Sequence, residues 1–321
     1  MASETTSTSL IPDLKAESLE TLRPLSPSQL VWRRFRKHRM ALVGAIGAVA
    51  MILFILIGSI AVPERAANQG ELTDRMQAPT ASHLFGTDSN GRDVFNRIIY
   101  GGQISLIIGV LAVTLEVTIG TLLGGLAAYY GGWVDAIVMR FTEAMLSIPQ
   151  LFLLIVLSKF LGHNIPTLNI FGRTFSGSVG IVIVVIGFTS WMYLARIVRS
   201  NMLSLREMDY ISAARSLGAS NSRIFFRHLV PNTLGIIIVS ATLGLASAIL
   251  TEAYVSFLGL GVQAPTATWG NMIGDAQSFM TQGAYWMWVF PSVFIVIIIL
   301  SVNLLGDGLR DAFDPHSTRH L

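Results

Sequence analysis

The segment Glu207–Asn232, EMDYISAARSLGASNSRIFFRHLVPN, lies between two long apolar runs, yet it has the pattern of a folded element. Ala213 and Ala214 belong to a short helical pattern, Gly218 is placed to end that helix, and Pro231 precedes the next apolar run. A connection between two membrane spans lies on one side of the bilayer. A short helix with small side chains in such a connection is suited to close contact with a partner.

The composition is that of a membrane protein. Of 321 residues, 52% are hydrophobic and 13% are charged, against roughly 25% charged in an ordinary soluble domain. No lysine or arginine occurs between Arg97 and Arg140, or between Arg227 and Arg310. Apolar runs of this length predict six membrane-spanning helices, at Met40–Val62, Ile104–Tyr130, Val134–Phe160 (with Pro149 inside it), Gly177–Leu194, Leu234–Phe257 and Met287–Leu305.

Several kinds of chemistry are excluded by what the chain lacks. It has no cysteine, no GxxxxGK[ST] nucleotide loop, no HExxH and no GxSxG. The segment DSNGRD, 88–93, lacks the ligand spacing and the closing glutamate of a calcium loop. We therefore expect no catalytic residue, no cofactor and no metal in this chain. Its work must then use either a gradient or energy supplied by a partner.

Charge distribution predicts the orientation in the membrane. Cations are concentrated in the segment before the first span and in the connection between the fourth and fifth spans, whereas residues 259–286 contain no lysine or arginine. The positive-inside rule therefore places both termini and the Glu207–Asn232 segment in the cytoplasm of a multi-pass plasma-membrane protein. Clustered arginines beside apolar runs indicate contact with lipid headgroups rather than with nucleic acid.

The predicted organisation follows from these patterns. We expect a disordered cytoplasmic tail (1–27), a basic interfacial segment (28–39), the first span (40–62), an external segment with an amphipathic helix (63–103), a permease core (104–307) that contains the loop 199–232, and a cytoplasmic C-terminal tail (308–321). In the external segment, Val94, Phe95, Ile98 and Ile99 oppose Arg92 and Arg97, which predicts an interfacial helix before the second span. Gly120 and Gly124 form a small-xxx-small face suited to close helix packing.

Three glutamates lie in or near predicted spans. A charge at mid-helix costs roughly 2.5–3.5 kcal/mol, and Glu116 lies about halfway along the second span. Either a hydrogen bond to Ser, Thr or Asn on another helix or a position facing a water-filled path accounts for it. Glu143 is predicted to pair with Arg140 at i, i+3. Glu252, near the outer end of the fifth span, could meet water or line an external gate.

The Glu207–Asn232 segment resembles the cytoplasmic "EAA" signature of the membrane subunits of bacterial ABC importers. That signature has a Glu-Ala-Ala-like triplet, a glycine four residues after the second alanine and a proline thirteen residues beyond the glycine. Ala213, Ala214, Gly218 and Pro231 fill those positions, and Ser212 stands in the position of the glutamate. The form found here is similar to that of the dipeptide/oligopeptide/nickel class.

Other segments carry the same resemblance. FGTDSNGRDVFNRIIYGGQISL before the second span, EAYVSFLGLGVQAPTATWGNMI after the fifth and GDGLRDAFDP near the C-terminus are similar to motifs of that class and favour its "C" type. The resemblance implies an all-α, six-helix type I permease fold. It also implies these partners: a homologous second permease subunit, two ATPase subunits that bind ATP and Mg, and an extracellular substrate-binding protein.

The resemblance also implies roles for individual residues. The helix after Met208 would be the coupling helix that docks on an ATPase, formed by Asp209, Tyr210, Ser212, Ala213, Ala214, Arg215, Leu217 and Gly218. Arg223, Arg227 and Pro231 would support it, with Pro231 separating the docking element from the fifth span. Members of the class carry dipeptides, longer peptides or nickel chelates, and peptides are the cargo expected here.

Two other classes of function fit the sequence less well. A stand-alone channel or gradient-driven carrier needs no docking helix and is expected to have inverted repeats around broken helices, and the sequence has no convincing internal repeat. An intramembrane enzyme would need a paired nucleophile and base, which the sequence lacks. Co-purification with a nucleotide-binding subunit separates the importer from both alternatives.

Overall fold

The computed structural model describes residues 26–161, 168–170 and 173–314. Of the predicted disordered tail, 1–27, only the last two residues lie within this range. The described part is mostly helical, with α1 Pro27–Lys37, α2 Arg39–Ala61, α3 Glu64–Asn68, α4 Val94–Tyr130, α5 Gly132–Leu146, α6 Gln150–Leu161, α7 Gly177–Arg206, α8 Asp209–Ser216, α9 Asn221–Ile224, α10 Val230–Phe257, α11 Trp269–Ala276 and α12 Trp286–Phe313. A short antiparallel pair, β1 Leu168–Ile170 and β2 Arg173–Phe175, joins α6 to α7.

The membrane-spanning helices agree with the predicted number once one bent pair is considered. Five helices of the described residues are long and apolar enough to cross a bilayer: α2, α4, α7, α12 and the continuous helix 221–257. The third predicted span, Val134–Phe160, is instead two helices, α5 and α6, bent by 87°. Pro149 lies in the break and has no N–H to continue the helical hydrogen bonds of α5. Counting this pair as one span gives six.

The expected separate interfacial helix before the second span is wrong. Val94, Ile98 and Ile99 form the first turns of α4, which continues without interruption to Tyr130. Asp93 caps this helix by accepting a hydrogen bond from the Asn96 N–H at 2.9 Å. These apolar side chains are buried, two of them with residues of α11 and α12, so their hydrophobic face meets protein rather than the membrane surface.

Close backbone contact joins α4 to α7, as the small-xxx-small face predicts. A Cβ added at Gly124 would overlap the carbonyl oxygen of Ala195, and one at Gly120 would lie 3.0 Å from the carbonyl oxygen of Trp191. On α7, a Cβ added at Gly187 would lie 2.9 Å from the Ala112 carbonyl oxygen. The two helices therefore pack with little side chain between them, which allows extensive dispersion contact.

The N- and C-terminal helices also pack together. Phe35 of α1 is buried with Ala41 of α2 and Ala312 of α12. The Arg34 guanidinium donates to the Asp314 carbonyl oxygen at 2.8 Å. The sixth helix, predicted to end near Leu305 with a tail from 308, therefore extends to Phe313, because its last turns have α1 and α2 to pack against.

Replacing Gly124 with alanine should separate α4 from α7. The new methyl group would overlap the Ala195 carbonyl oxygen, and such overpacking costs about 1–3 kcal/mol. Gly180→Ala on α7 is the matched control, since an added Cβ there meets no atom within 4 Å. We expect thermal unfolding of the purified protein to occur at lower temperature for Gly124→Ala but not for Gly180→Ala. Equal melting temperatures would contradict the close contact.

Candidate coupling surface and buried carboxylates

The helix α8 is a short structured element between two membrane-spanning helices, as the sequence predicts. It ends in a pair of hydrogen bonds, from the Ala219 N–H to the Ala214 carbonyl at 3.1 Å and from the Gly218 N–H to the Arg215 carbonyl at 3.0 Å. Gly218 has φ +79°, a left-handed conformation that glycine adopts without steric cost. This geometry defines a Schellman cap, so Gly218 ends the helix as predicted.

One buried side chain and one arginine hold α8 against the bundle. Ile211 is 1% exposed and packs with the C-terminal parts of α4 and α7 and with the N-terminal part of the helix 221–257. The Arg206 guanidinium, at the end of α7, donates to the carbonyl oxygens of Ala128 and Tyr129 at 3.0 and 3.2 Å. These are carbonyls at the C-terminal end of α4, which attract positive charge. The connection from α7 into α8 is therefore fixed at both ends.

The remaining face of α8 is open. Tyr210, Ser212, Ala213 and Arg215 are exposed, and Leu217 is 88% exposed. Met208 and Phe226 are also exposed on neighbouring segments. Exposed apolar side chains grouped in this way are suited to contact with another protein or with the membrane.

Most of the predicted coupling residues lie on or beside this surface. Asp209 begins α8, and Ala214, half-buried, lies on the same helix. Arg223 and Arg227 are exposed on the segment that follows. The structure therefore brings the predicted coupling and support residues together, apart from Pro231, which lies at the start of α10.

The sequence suggested that Pro231 separates α8 from the fifth span, but the helix does not end at this proline. Residues 221–257 form one continuous helix, in which a π turn at Phe225–Leu229 joins α9 to α10. The Val230 N–H bonds to the Phe225 carbonyl, so the turn is widened by one residue immediately before the proline. A π turn and a first-turn position both accommodate proline's missing N–H.

Two polar contacts on this side were not predicted as pairs. The Tyr129 hydroxyl donates to Asn221 Oδ1 at 2.7 Å, which ties the end of α4 to the start of α9. The Arg199 guanidinium pairs with the Asp135 carboxylate, which ties α7 to α5. The sequence offered a signal only for the second pair, because Asp135 and Arg199 have opposite charges and lie on the same predicted side of the membrane. By contrast, the predicted Arg140–Glu143 pair is present at 3.1 Å.

Glu252 is buried, and its carboxylate links three parts of the chain by hydrogen bonds. It is 0% exposed, so the expectation that it could meet water is wrong. Its carboxylate accepts hydrogen bonds from the hydroxyls of Ser105 and Ser256, both at 2.8 Å. The Ser256 oxygen in turn accepts from the Val262 N–H at 3.2 Å. The carboxylate therefore connects α4, α10 and the loop that follows α10.

Glu116 is buried but has no such hydrogen bonds within the described part of the chain. It is 9% exposed, and a Cβ added at Gly244 of α10 would lie 3.1 Å from its carboxylate oxygen. The hydrogen bond to Ser, Thr or Asn on another helix is therefore not found among those residues. Gly244 leaves room for the carboxylate between α4 and α10.

The fold defines a class: a multi-pass membrane protein with an exposed, structured helix between two of its spans. Residues 120–319 match the family described as "Binding-protein-dependent transport system inner membrane component", and residues 26–79 match the "N-terminal TM domain of oligopeptide transport permease C". The chain belongs to this family of ABC-importer permeases.

Individual similar proteins are also named as transport permeases. The chain is 39% identical to the dipeptide transport system permease protein DppC of Bacillus subtilis (strain 168), over 92% of this chain and 88% of that protein. It is 38% identical to the glutathione transport system permease protein GsiD of Escherichia coli O6:K15:H31, over 95% and 94%. Among solved structures, a chain of the inward-facing MetNI methionine ABC transporter matches with a TM-score of 0.51 and 20% identity, over 68% of this chain and 96% of that one. This last likeness concerns the fold.

Removing the Glu252 carboxylate should loosen the outer loop. Glu252→Ala leaves two buried hydroxyls without their acceptor, at about 1–3 kcal/mol for each group left unsatisfied. Glu252→Gln is the conservative control, since an amide can both accept from and donate to serine. We expect faster proteolysis or hydrogen exchange of residues 258–266 in the alanine variant than in the glutamine variant. Equal rates in both variants and the wild type would refute the tie.

Proposed function

We propose that this chain is the C-type membrane subunit of an ATP-driven importer that carries di- or oligopeptides into the cell. The observation that carries the proposal is α8, a capped helix held by Ile211 and Arg206 with its outer face exposed. The names of the relatives, which include dipeptide and oligopeptide permeases, support peptides as the cargo. A homologous second permease would complete the translocation path.

The energy would come from partner subunits. In this proposal, ATP and Mg are bound and ATP is hydrolysed on two ATPase subunits, one of which docks on α8, while a substrate-binding protein delivers the peptide from outside. The small side chains of Ala213 and Ala214 allow the backbone of α8 to approach the ATPase closely. Both termini, and α8 with them, are then cytoplasmic, as the distribution of arginine supports.

The helical continuity of 221–257 suggests how movement of α8 would reach the membrane. Ile211 shares a hydrophobic cluster with Ile224, Phe225 and Leu229, so a displacement of α8 presses on the start of this helix. Because its backbone hydrogen bonds continue through the π turn, the displacement would tilt the helix as a unit. The tilt would change access to the path from one side of the membrane to the other.

The docking role is tested at Gly218. Gly218→Val places a branched side chain in the left-handed region, at roughly 1–2 kcal/mol of backbone strain, and beside the proposed ATPase contact. Gly283→Val is the matched control. It also has a positive φ, of +83°, and open space around it, but it lies near the opposite end of the bundle, before α12.

We expect Gly218→Val to reduce co-purification of the ATPase subunits or to uncouple hydrolysis from uptake, and Gly283→Val to leave both unchanged. ATPase association and ATP-dependent peptide uptake in proteoliposomes are the measurements. Normal association and coupling in Gly218→Val would argue strongly against docking at α8. Uptake without any ATPase subunit would instead support a stand-alone carrier.

We also propose that Glu116 faces the translocation path. Its burial without a hydrogen bond among the described residues supports this position. Glu116→Gln should slow peptide uptake severalfold while leaving assembly with the partner subunits intact. Glu143→Gln, at an exposed position, is the control. If Glu116→Gln changes neither uptake nor assembly, the residue neither serves the path nor is required for packing.

A further inference from the structure

A cavity of about 470 Å³ lies at the end of the bundle opposite to α8. Its walls are the turn before α4, the loop between α10 and α11, and one face of α11. It is opposite to α8 because α10 begins beside α8 and ends at this loop. Sites for small organic molecules typically measure roughly 300–1,000 Å³, so the cavity could hold part of a short peptide.

Two buried arginines line the cavity. Arg97 is 3% exposed and Arg92 is 9% exposed. Asp88 pairs with both: its carboxylate oxygen lies 2.7 Å from Arg92 Nε and 3.5 Å from Arg97 Nε. The other Asp88 oxygen accepts from the backbone N–H groups of Asn90 and Arg92. Asp88 is therefore fully used in shaping the turn and in holding the arginines.

Arg97 retains a donor for an acceptor from outside the chain. Its Nη1 is buried and has no hydrogen-bond partner within the part of the chain that the structure describes. Other polar groups of the cavity wall are already engaged: the Asn271 amide donates to the carbonyls of Val262 and Thr266. An unpaired buried guanidinium N–H is costly, so an incoming acceptor would be bound preferentially by this group.

Asp275 is held only loosely in front of the same arginines. Its carboxylate lies 3.6 Å from Arg92 Nη2 and 3.8 Å from Arg97 Nη2, distances longer than a hydrogen bond. The side chain is 51% exposed, and it lies in the last turn of α11, where the helix dipole disfavours negative charge. Partial burial also raises the pKa of Asp275, although both arginines act in the opposite direction.

We propose that this cavity is a binding subsite for the carboxylate of the transported solute, with Arg92 and Arg97 as donors and Asp275 as the internal carboxylate that the solute displaces. The identification of the solute as a peptide rests on the proposed function. When Asp275 turns outward, two guanidinium groups face one remaining carboxylate, Asp88. The subsite then has one excess positive charge, which the C-terminal carboxylate of a peptide neutralises.

The test uses the transporter assembled with its partner subunits in nanodiscs, without the binding protein. Equilibrium binding of radiolabelled trialanine is compared with that of its C-terminal amide. We expect the amide to bind roughly tenfold more weakly, since it cannot form charge-assisted hydrogen bonds with the arginines. Asp275→Asn should bind trialanine severalfold more tightly, with no gain for the amide, because the competing carboxylate is gone.

Glu71→Gln is the matched control, because Glu71 is an exposed acid in the same external segment and should change neither affinity. Equal binding of acid and amide, no binding of either, or no effect of Asp275→Asn in an intact assembly would overturn the subsite. If Asp275→Asn instead strengthens capture of the ligand-free binding protein while trialanine binding stays unchanged, the occupant is a protein side chain and the proposal is wrong.

ATP-driven uptake of trialanine is measured separately, so that the two proposals can fail independently. Normal uptake combined with equal binding of trialanine and its amide would support the importer function and contradict the carboxylate subsite. Tighter binding of trialanine than of its amide, without uptake, would support the subsite and count against peptide import.

Discussion

The arrangement of this chain depends on the close contact of α4 with α7. Gly120 and Gly124 on one helix and Gly187 on the other allow backbone to approach backbone along much of their length. Since lipid is as apolar as leucine, helices in a membrane gain little from hydrophobic burial and associate through close packing and hydrogen bonds. A contact that brings main-chain atoms together is therefore a strong way to hold two spans in one orientation.

This contact determines what happens at the ends of the two helices. With α4 and α7 held side by side, Arg206 reaches the free carbonyls at the end of α4. Tyr129, in the last turn of α4, then reaches Asn221 of α9. The loop that would dock a partner is therefore fixed on both sides of α8. A partner bound to a fixed element can transmit force, whereas one bound to a flexible loop would lose it in local motion.

The sequence predicted the parts of this structure that depend on composition and local pattern. Apolar runs identified the spans, Gly218 identified the end of α8, and Gly120 and Gly124 identified a packing face. The predictions from sequence were wrong where a local pattern is compatible with two structures and only tertiary contacts decide between them. Val94, Ile98 and Ile99 have the pattern of an interfacial helix, but α11 and α12 cover the first two and α2 lies against the third. A proline usually marks a helix boundary, but the π turn before Pro231 allows the helix to continue.

The buried charges follow the same distinction. Position along a span shows that a carboxylate is costly, but the means of offsetting that cost depends on neighbours that are distant in sequence. Glu252 is satisfied by Ser105, which is 147 residues away, and by Ser256, so it serves as a structural tie. Glu116, about halfway along its span, has no hydrogen bond among the described residues, and Gly244 leaves room for its carboxylate. The two glutamates thus differ in a way that only the fold shows, because Glu252 is hydrogen-bonded within the chain and Glu116 has no hydrogen bond among the described residues.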